Sequence, residues 1–182
     1  SATAGTIDLI TTWDGSTYIA GLGVSATATF GQTFTADSSL GSQVDSFSFL
    51  LHNHNGRTNA TPFSAYLAAW DGSKVSGPIL FKSDVQYLPT DDSAPSYTKY
   101  TFDTGGVQVV DGLQYVIFLS LSEYFTGSIQ AKMASVGDVY AGGAFVYAYS
   151  SSDFGTLSTS PWDDTSGPRG DAAVEINFSN GA

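Results

Sequence analysis

Only two glutamates occur in this 182-residue chain, Glu123 and Glu175, against fifteen aspartates. Hydrolysis of a glycosidic bond needs two carboxylates flanking the scissile oxygen, roughly 5–10 Å apart. On a strand that pair comes from Glu-x-Asp-x-x-Glu, whose alternation puts the acids on one face, and the string is absent. His52-x-His54 with Arg57 is a basic constellation whose histidines could share a strand face and ligate a metal. A third histidine is missing, and His52-Asn53-His54-Asn55-Gly56 reads as a polar strand end entering a turn. No Gly-x-Ser-x-Gly elbow, Ser-His-Asp set or phosphate-cradling glycine loop appears. Without cysteine there is no thiol nucleophile, thiolate metal site or disulfide framework. The expectation is a chain that is not an enzyme, with a polysaccharide-active enzyme as a minor alternative.

The aspartates suit oxygen-ligand cations better than catalysis. Asp163, Asp164 and Asp171 bracket a Ser-, Gly- and Pro-containing segment at the entrance of the last strand, a composition that could hold Ca²⁺. Neither the EF-hand spacing nor a calcium-binding glycine repeat is present, and aspartates that start and stop turns explain the same residues. Arg169-Gly170-Asp171 spells an integrin-type tripeptide where a strand begins, so a structural role is expected. Asn59-Ala60-Thr61 and Asn177-Phe178-Ser179 match glycosylation sequons.

The aromatic residues carry a different chemistry. Tyr66 and Trp70 share one strand face opposite Phe63, Ala65 and Leu67, and Phe145, Tyr147 and Tyr149 share another opposite Ala144, Val146 and Ala148. In both strands two apolar faces compete for one core. Either both faces are buried, or the aromatic face is a solvent-facing platform on which sugar C–H surfaces stack. Trp162, beside Asp163 and Asp164 in a loop, is the aromatic most expected at an exposed site. Trp70, Trp162, Tyr66, Tyr147 and Tyr149 are therefore the candidate ligand-binding residues.

Composition narrows the ligand. The net charge is −11, from 6 Lys plus Arg against 17 Asp plus Glu, which leaves no basic patch for nucleic acid and repels anionic surfaces. No apolar run of about 18 residues is available to span a bilayer. A uronate would meet like charge unless Ca²⁺ bridged the two, so the expected partner is a neutral or Ca²⁺-bridged glycan, or another matrix protein. Any export signal is expected to have been removed before Ser1.

The elements that position these residues should be almost all β. Period-two alternation recurs where no helical i, i+3, i+4, i+7 pattern is sustained. Ala172, Val174, Ile176 and Phe178 share one face of the last strand against Ala173, Glu175 and Asn177. Ala28, Phe30 and Phe34 oppose a row of threonines, while Ile79, Phe81, Val85 and Tyr87 oppose Lys82, Asp84 and Gln86. Tyr115 to Leu119 is apolar on both parities, which predicts a central strand covered on both sides. Turn signals such as Asp14-Gly15, Asp71-Gly72 and Asp111-Gly112 divide the chain into about ten to twelve strands, the content of a two-sheet antiparallel sandwich in one domain over residues 1–182. Residues 97–103 and 107–110 read as separate strands. Trp-Asp-Gly-Ser occurs at Trp13 and again at Trp70, which predicts two hairpin turns. The long stretch from Ser150 to Gly170 is expected to be a surface loop with a functional role.

Gly31-Gln32-Thr33-Phe34-Thr35-Ala36 with Val44 to Phe49, Ala65 to Gly72, Tyr140 to Gly143 and Gly170 to Val174 together resemble a loose group of bacterial secreted and cell-surface jelly-roll domains. The resemblance spans residues 30 to 178. Such domains occur in exported, sorting-signal or calcium-repeat proteins and are related in general shape to carbohydrate-binding modules. It implies a jelly-roll β-sandwich, an extracellular or cell-surface location and an adhesive role. The expected function is a non-catalytic module binding glycan or matrix, with a calcium ion as its expected cofactor. The alternative is a structural subunit of a surface layer, fibre or biofilm matrix, self-associating through the N-terminal strand Thr6 to Thr12.

Overall fold

The computed structural model describes residues 4–53, 61–88, 97–125, 128–164 and 170–181. Along the chain run β1 (Gly5–Asp8), β2 (Tyr18–Val24), β3 (Thr29–Thr35), β4 (Gln43–Asn53), β5 (Thr61–Trp70), β6 (Val75–Lys82) and β7 (Gln86–Leu88). There follow β8 (Thr98–Gln108), β9 (Gln114–Ser120), a single 3-10 turn (Ser122–Tyr124), β10 (Ser128–Gly137) and β11 (Phe145–Ala148). The chain closes with α1 (Thr156–Thr159), β12 (Asp163–Asp164), β13 (Asp171–Ala172) and β14 (Val174–Ser179).

These strands build two antiparallel seven-stranded sheets that pack as a sandwich. The first has the order β1-β14-β4-β10-β13, with β2 on β10 and β8 on β4. The second has the order β12-β11-β3-β9-β5-β6, with β7 on β5. Phe34, Phe47, Phe49, Phe63, Ile117, Leu119, Ile176 and Phe178 fill the space between them. β9 is central, paired with β3 and β5. Its Tyr115, Ile117 and Leu119 point into this core, while Val116 and Phe118 enter a second apolar cluster on the outer face.

Several strands depart from the sequence pattern for identifiable reasons. The two short strands predicted at 97–103 and 107–110 are one, because Gly105 and Gly106 take positive φ (74° and 97°) and absorb extra residues as a bulge opposite Val44 to Ser46. Ile79 and Phe81 do not share a face. A register shift at Leu80 turns Phe81 to the inter-sheet core and Ile79 to the outer cluster. Val85 and Tyr87 are exposed. The N-terminal strand is shorter than predicted and is not free, since β1 pairs with β14 from Gly5↔Phe178 to Asp8↔Glu175. Ala173, on the polar face with Glu175 and Asn177, is buried with Leu50 and Ala134 on the outer side of the first sheet, beneath Ile10 and Trp13.

The segment from Ser150 to Gly170, expected to be a functional surface loop, does run over the surface in its described part, with most residues exposed or half-exposed, but it also anchors a structural cover. Phe154, Leu157 and Trp162 lie over the outer face of the second sheet and bury Tyr66, Ala68, Val116, Phe118 and Val146. This explains the doubly apolar strands: a sheet covered on both sides needs no wet face.

Candidate functional site

The alternation of β5 carries Tyr66, Ala68 and Trp70 to the outer face of the second sheet. Tyr66 is only 1% exposed, stacked on Phe118 at 4.9 Å and capped by Phe154. Its hydroxyl donates to Glu123 Oε1 at 2.7 Å, and Lys82 Nζ donates to both oxygens of the same carboxylate. Burial, reinforced by Glu123, pushes the phenol well above its ordinary range, while Lys82 and then Tyr66 hold the Glu123 carboxyl below its own. The platform role expected for Tyr66 is thereby corrected: its ring is a core element and its hydroxyl knits the sheet face to the 3-10 turn.

Trp162 is corrected in the same way. It is 7% exposed, its indole N–H donates to the Leu157 carbonyl at 2.9 Å, and its backbone N–H donates to Ser73 at 2.8 Å. Its ring meets Phe118 and Trp70 edge to face at 5.3 and 5.2 Å. Instead of offering itself to solvent, Trp162 sets the plane of Trp70.

Trp70 is half-buried and borders a cleft of about 420 Å³ on this outer face. Val146 of β11, Thr33 of β3 and Gln114 of β9 line it together with Gly143, Ala144 and Ser73. Among the described residues lining it, none carries a charge. Gln114 presents an exposed amide, able both to donate and to accept. The Gly143 wall is tight: a Cβ there would lie 1.9 Å from the Thr33 carbonyl oxygen. Thr33 Oγ1 accepts from the Ala144 N–H at 2.9 Å, and the Thr33 N–H donates to the Ala144 carbonyl at the same distance.

The turn beside Trp70 is held by its own carboxylate. Asp71 Oδ1 accepts from the Ser73 and Lys74 N–H groups at 2.8 and 2.9 Å, and Lys74 Nζ reaches Oδ2 at 2.8 Å. The other Trp-Asp-Gly-Ser string repeats the device. Asp14 Oδ1 accepts from the Ser16 and Thr17 N–H groups, both at 2.8 Å, and Thr17 Oγ1 donates to Oδ2 at 2.5 Å. Only the second string closes a hairpin, between β5 and β6; the first joins β1 and β2, which have different partners.

Tyr147 and Tyr149 lie elsewhere. Tyr147 stacks on the core residue Phe145, Tyr149 stands perpendicular to it at 5.5 Å, and both border a cleft of about 320 Å³ with Ala20, Gly21 and Phe30. The five candidate aromatics thus divide between one core position, one supporting position and two separate clefts.

The aspartates do not converge. Asp171 is fully buried, with Oδ1 accepting from Gln32 Nε2 at 2.9 Å and Oδ2 from the Val139 and Tyr140 N–H groups at 2.9 and 2.8 Å. Gln32 in turn accepts from the Ala172 N–H, so the carboxylate ties β3, β13 and the turn after β10 together. Three donors aimed at its oxygens correct its place in a calcium set, because a cation there would face their positive ends. Asp163 is exposed and pairs across from Tyr147, and Asp164 sits opposite Val146. Among the described residues no group of three or more His, Asp or Glu side chains could hold a metal. His54, Arg57, Asn59 and residues 165–169, including the arginine of the integrin-type tripeptide, lie outside the described residues. Asn177 donates to Ser46 and Glu175 within the first sheet. Gln114 and Gln32 were missed from the sequence, and no local signal marks them; only register places one at a cleft and the other beside Asp171.

No family model and no curated protein matches the chain. Among solved structures it is similar to the crystal structure of the cysteine protease and lectin-like domains of Cwp84, a surface-layer-associated protein of Clostridium difficile. The TM-score is 0.50 at 13% identity, over 85% of this chain and 32% of that one. The chain therefore spans about a third of that relative's length, and the likeness is one of fold.

Proposed function

We propose that this chain is a non-catalytic cell-surface module that holds a neutral glycan in the Trp70 cleft. The observation that carries the proposal is a half-buried indole, fixed edge to face by a buried neighbour, in an uncharged concave site on a protein of net charge −11. A rigid aromatic face loses little entropy on stacking against sugar C–H groups, and the Gln114 amide can exchange hydrogen bonds with ring hydroxyls. The fold likeness to a structure containing a lectin-like domain of a surface-layer-associated protein supports the same class of role. Glu123, in the 3-10 turn after β9, and Glu175, on β14 of the first sheet, are bonded to Lys82 and Lys99 respectively, which speaks for binding over hydrolysis. Pairing of β1 within the chain speaks for a module over a subunit polymerising by strand donation.

Glycan-array and affinity-gel measurements test this. Binding to neutral glycans should fall at least tenfold in Trp70→Ala and severalfold in Gln114→Ala, with the circular dichroism of both unchanged. Full binding by both variants would remove the site, and release of reducing sugar from a polysaccharide would overturn the non-catalytic role.

A further inference from the structure

We propose that the Tyr147/Tyr149 cleft is a second neutral-sugar site, which makes a single chain bivalent and able to cross-link glycan strands. The inference takes its ligand class from the Trp70 proposal but stands on separate residues. Tyr149 is 59% exposed, and its ring meets Tyr147 at 86°, forming a corner of two aromatic faces. The corner is anchored, because Tyr147 stacks on Phe145 at 6.2 Å and Phe145 is fully buried in the inter-sheet core. The cleft of about 320 Å³ lies at the seam of the sandwich, with β2 of the first sheet on one side and β3 and β11 of the second on the other. Ser25 and Thr27 are among its lining residues, and no charged residue lines it among those described. In so acidic a chain an uncharged aromatic corner suits a neutral, hydroxyl-rich ring, whereas an acidic sugar is disfavoured by the surrounding charge.

The topology separates the two sites. Val146 borders the Trp70 cleft and Tyr147 borders the seam cleft, and adjacent residues of one strand point to opposite faces. A short oligosaccharide cannot occupy both, so a polymer held at one site leaves the other open to a second strand.

Calorimetric titration with cellotetraose, xylotetraose, mannotetraose, chitotetraose and maltotetraose tests the proposal. At least one should saturate two sites per chain, with Tyr149→Ala removing one and Trp70→Ala removing the other. Tyr149→Phe, which keeps the ring, should retain both sites. The parent chain, and neither alanine variant, should precipitate the corresponding soluble high-mass polymer. A single site that is lost in Trp70→Ala and unaffected by Tyr149→Ala would overturn bivalency and leave the Trp70 proposal standing. A single site with the opposite dependence would overturn both bivalency and the Trp70 proposal. Absence of binding to all five sugars would overturn both.

Discussion

Trp70 and Trp162 touch at 5.2 Å, yet their substitution should register in different measurements. Trp162 is buried with its indole N–H satisfied, so Trp162→Ala should cost about 3–5 kcal/mol in chemical denaturation, partly as a cavity and partly as an orphaned Leu157 carbonyl. Trp70→Ala should cost distinctly less stability and show mainly as lost affinity; equal destabilisation by the two would contradict the division of roles. Acid sensitivity also belongs to single residues. The Thr17 hydroxyl, with the Thr17 and Ser16 N–H groups, lowers the Asp14 carboxyl from 3.8 to about 2. Lys74, with the Ser73 and Lys74 N–H groups, lowers Asp71 as well. Carboxyls depressed on folding contribute stability that is complete above their unfolded values and is lost as pH falls through the folded ones. The Tm should therefore decline as pH drops from about 4 toward 2, and Asp14→Asn with Asp71→Asn should flatten that decline. An unchanged slope in the double variant would show that the two turns do not contribute.

At the level of elements, the apolar parity of β9 was legible because a strand covered on both faces must be apolar on both. The Ser150 to Gly170 segment was not legible. Pro161, Asp163 and Asp164 resemble a surface loop, and local composition does not report that Phe154, Leu157 and Trp162 turn inward over a neighbouring sheet. The same contact makes the Trp70 cleft, since Trp162 and Ser73 are joined through their backbones. Opposite them, the wall depends on the close approach of Gly143 to β3. Gly143→Ala places a methyl group 1.9 Å from the Thr33 carbonyl oxygen and must push the wall away. It should cost about 1–3 kcal/mol and weaken glycan binding, read together by thermal melting and titration. Loss of stability with wild-type affinity would mean that the wall does not shape the site.

Across the whole molecule, most pairings join distant parts of the sequence, and β1 with β14 is the extreme case. β1 covers one edge of β14 and contributes Ile7 to the core, followed by Leu9 just beyond it. Removing residues 1–9 should expose that edge and drive concentration-dependent association, measurable by light scattering, whereas a truncated chain that stays monomeric would show the edge to be protected otherwise. The sequence by itself determined the all-β class and the inward residues of most strands, because alternation is a property of the chain alone. It also specified the Asp-based turns, whose hydrogen bonds span three residues. Only the tertiary structure decided which of two apolar faces meets a core, which meets a covering segment and which meets water. That choice placed Tyr66 and Trp162 inside, left Trp70 and Tyr149 at clefts, and turned Asp171 from a possible cation ligand into a buried tie. Period two distinguishes two faces of a strand but carries no information about what packs against either one.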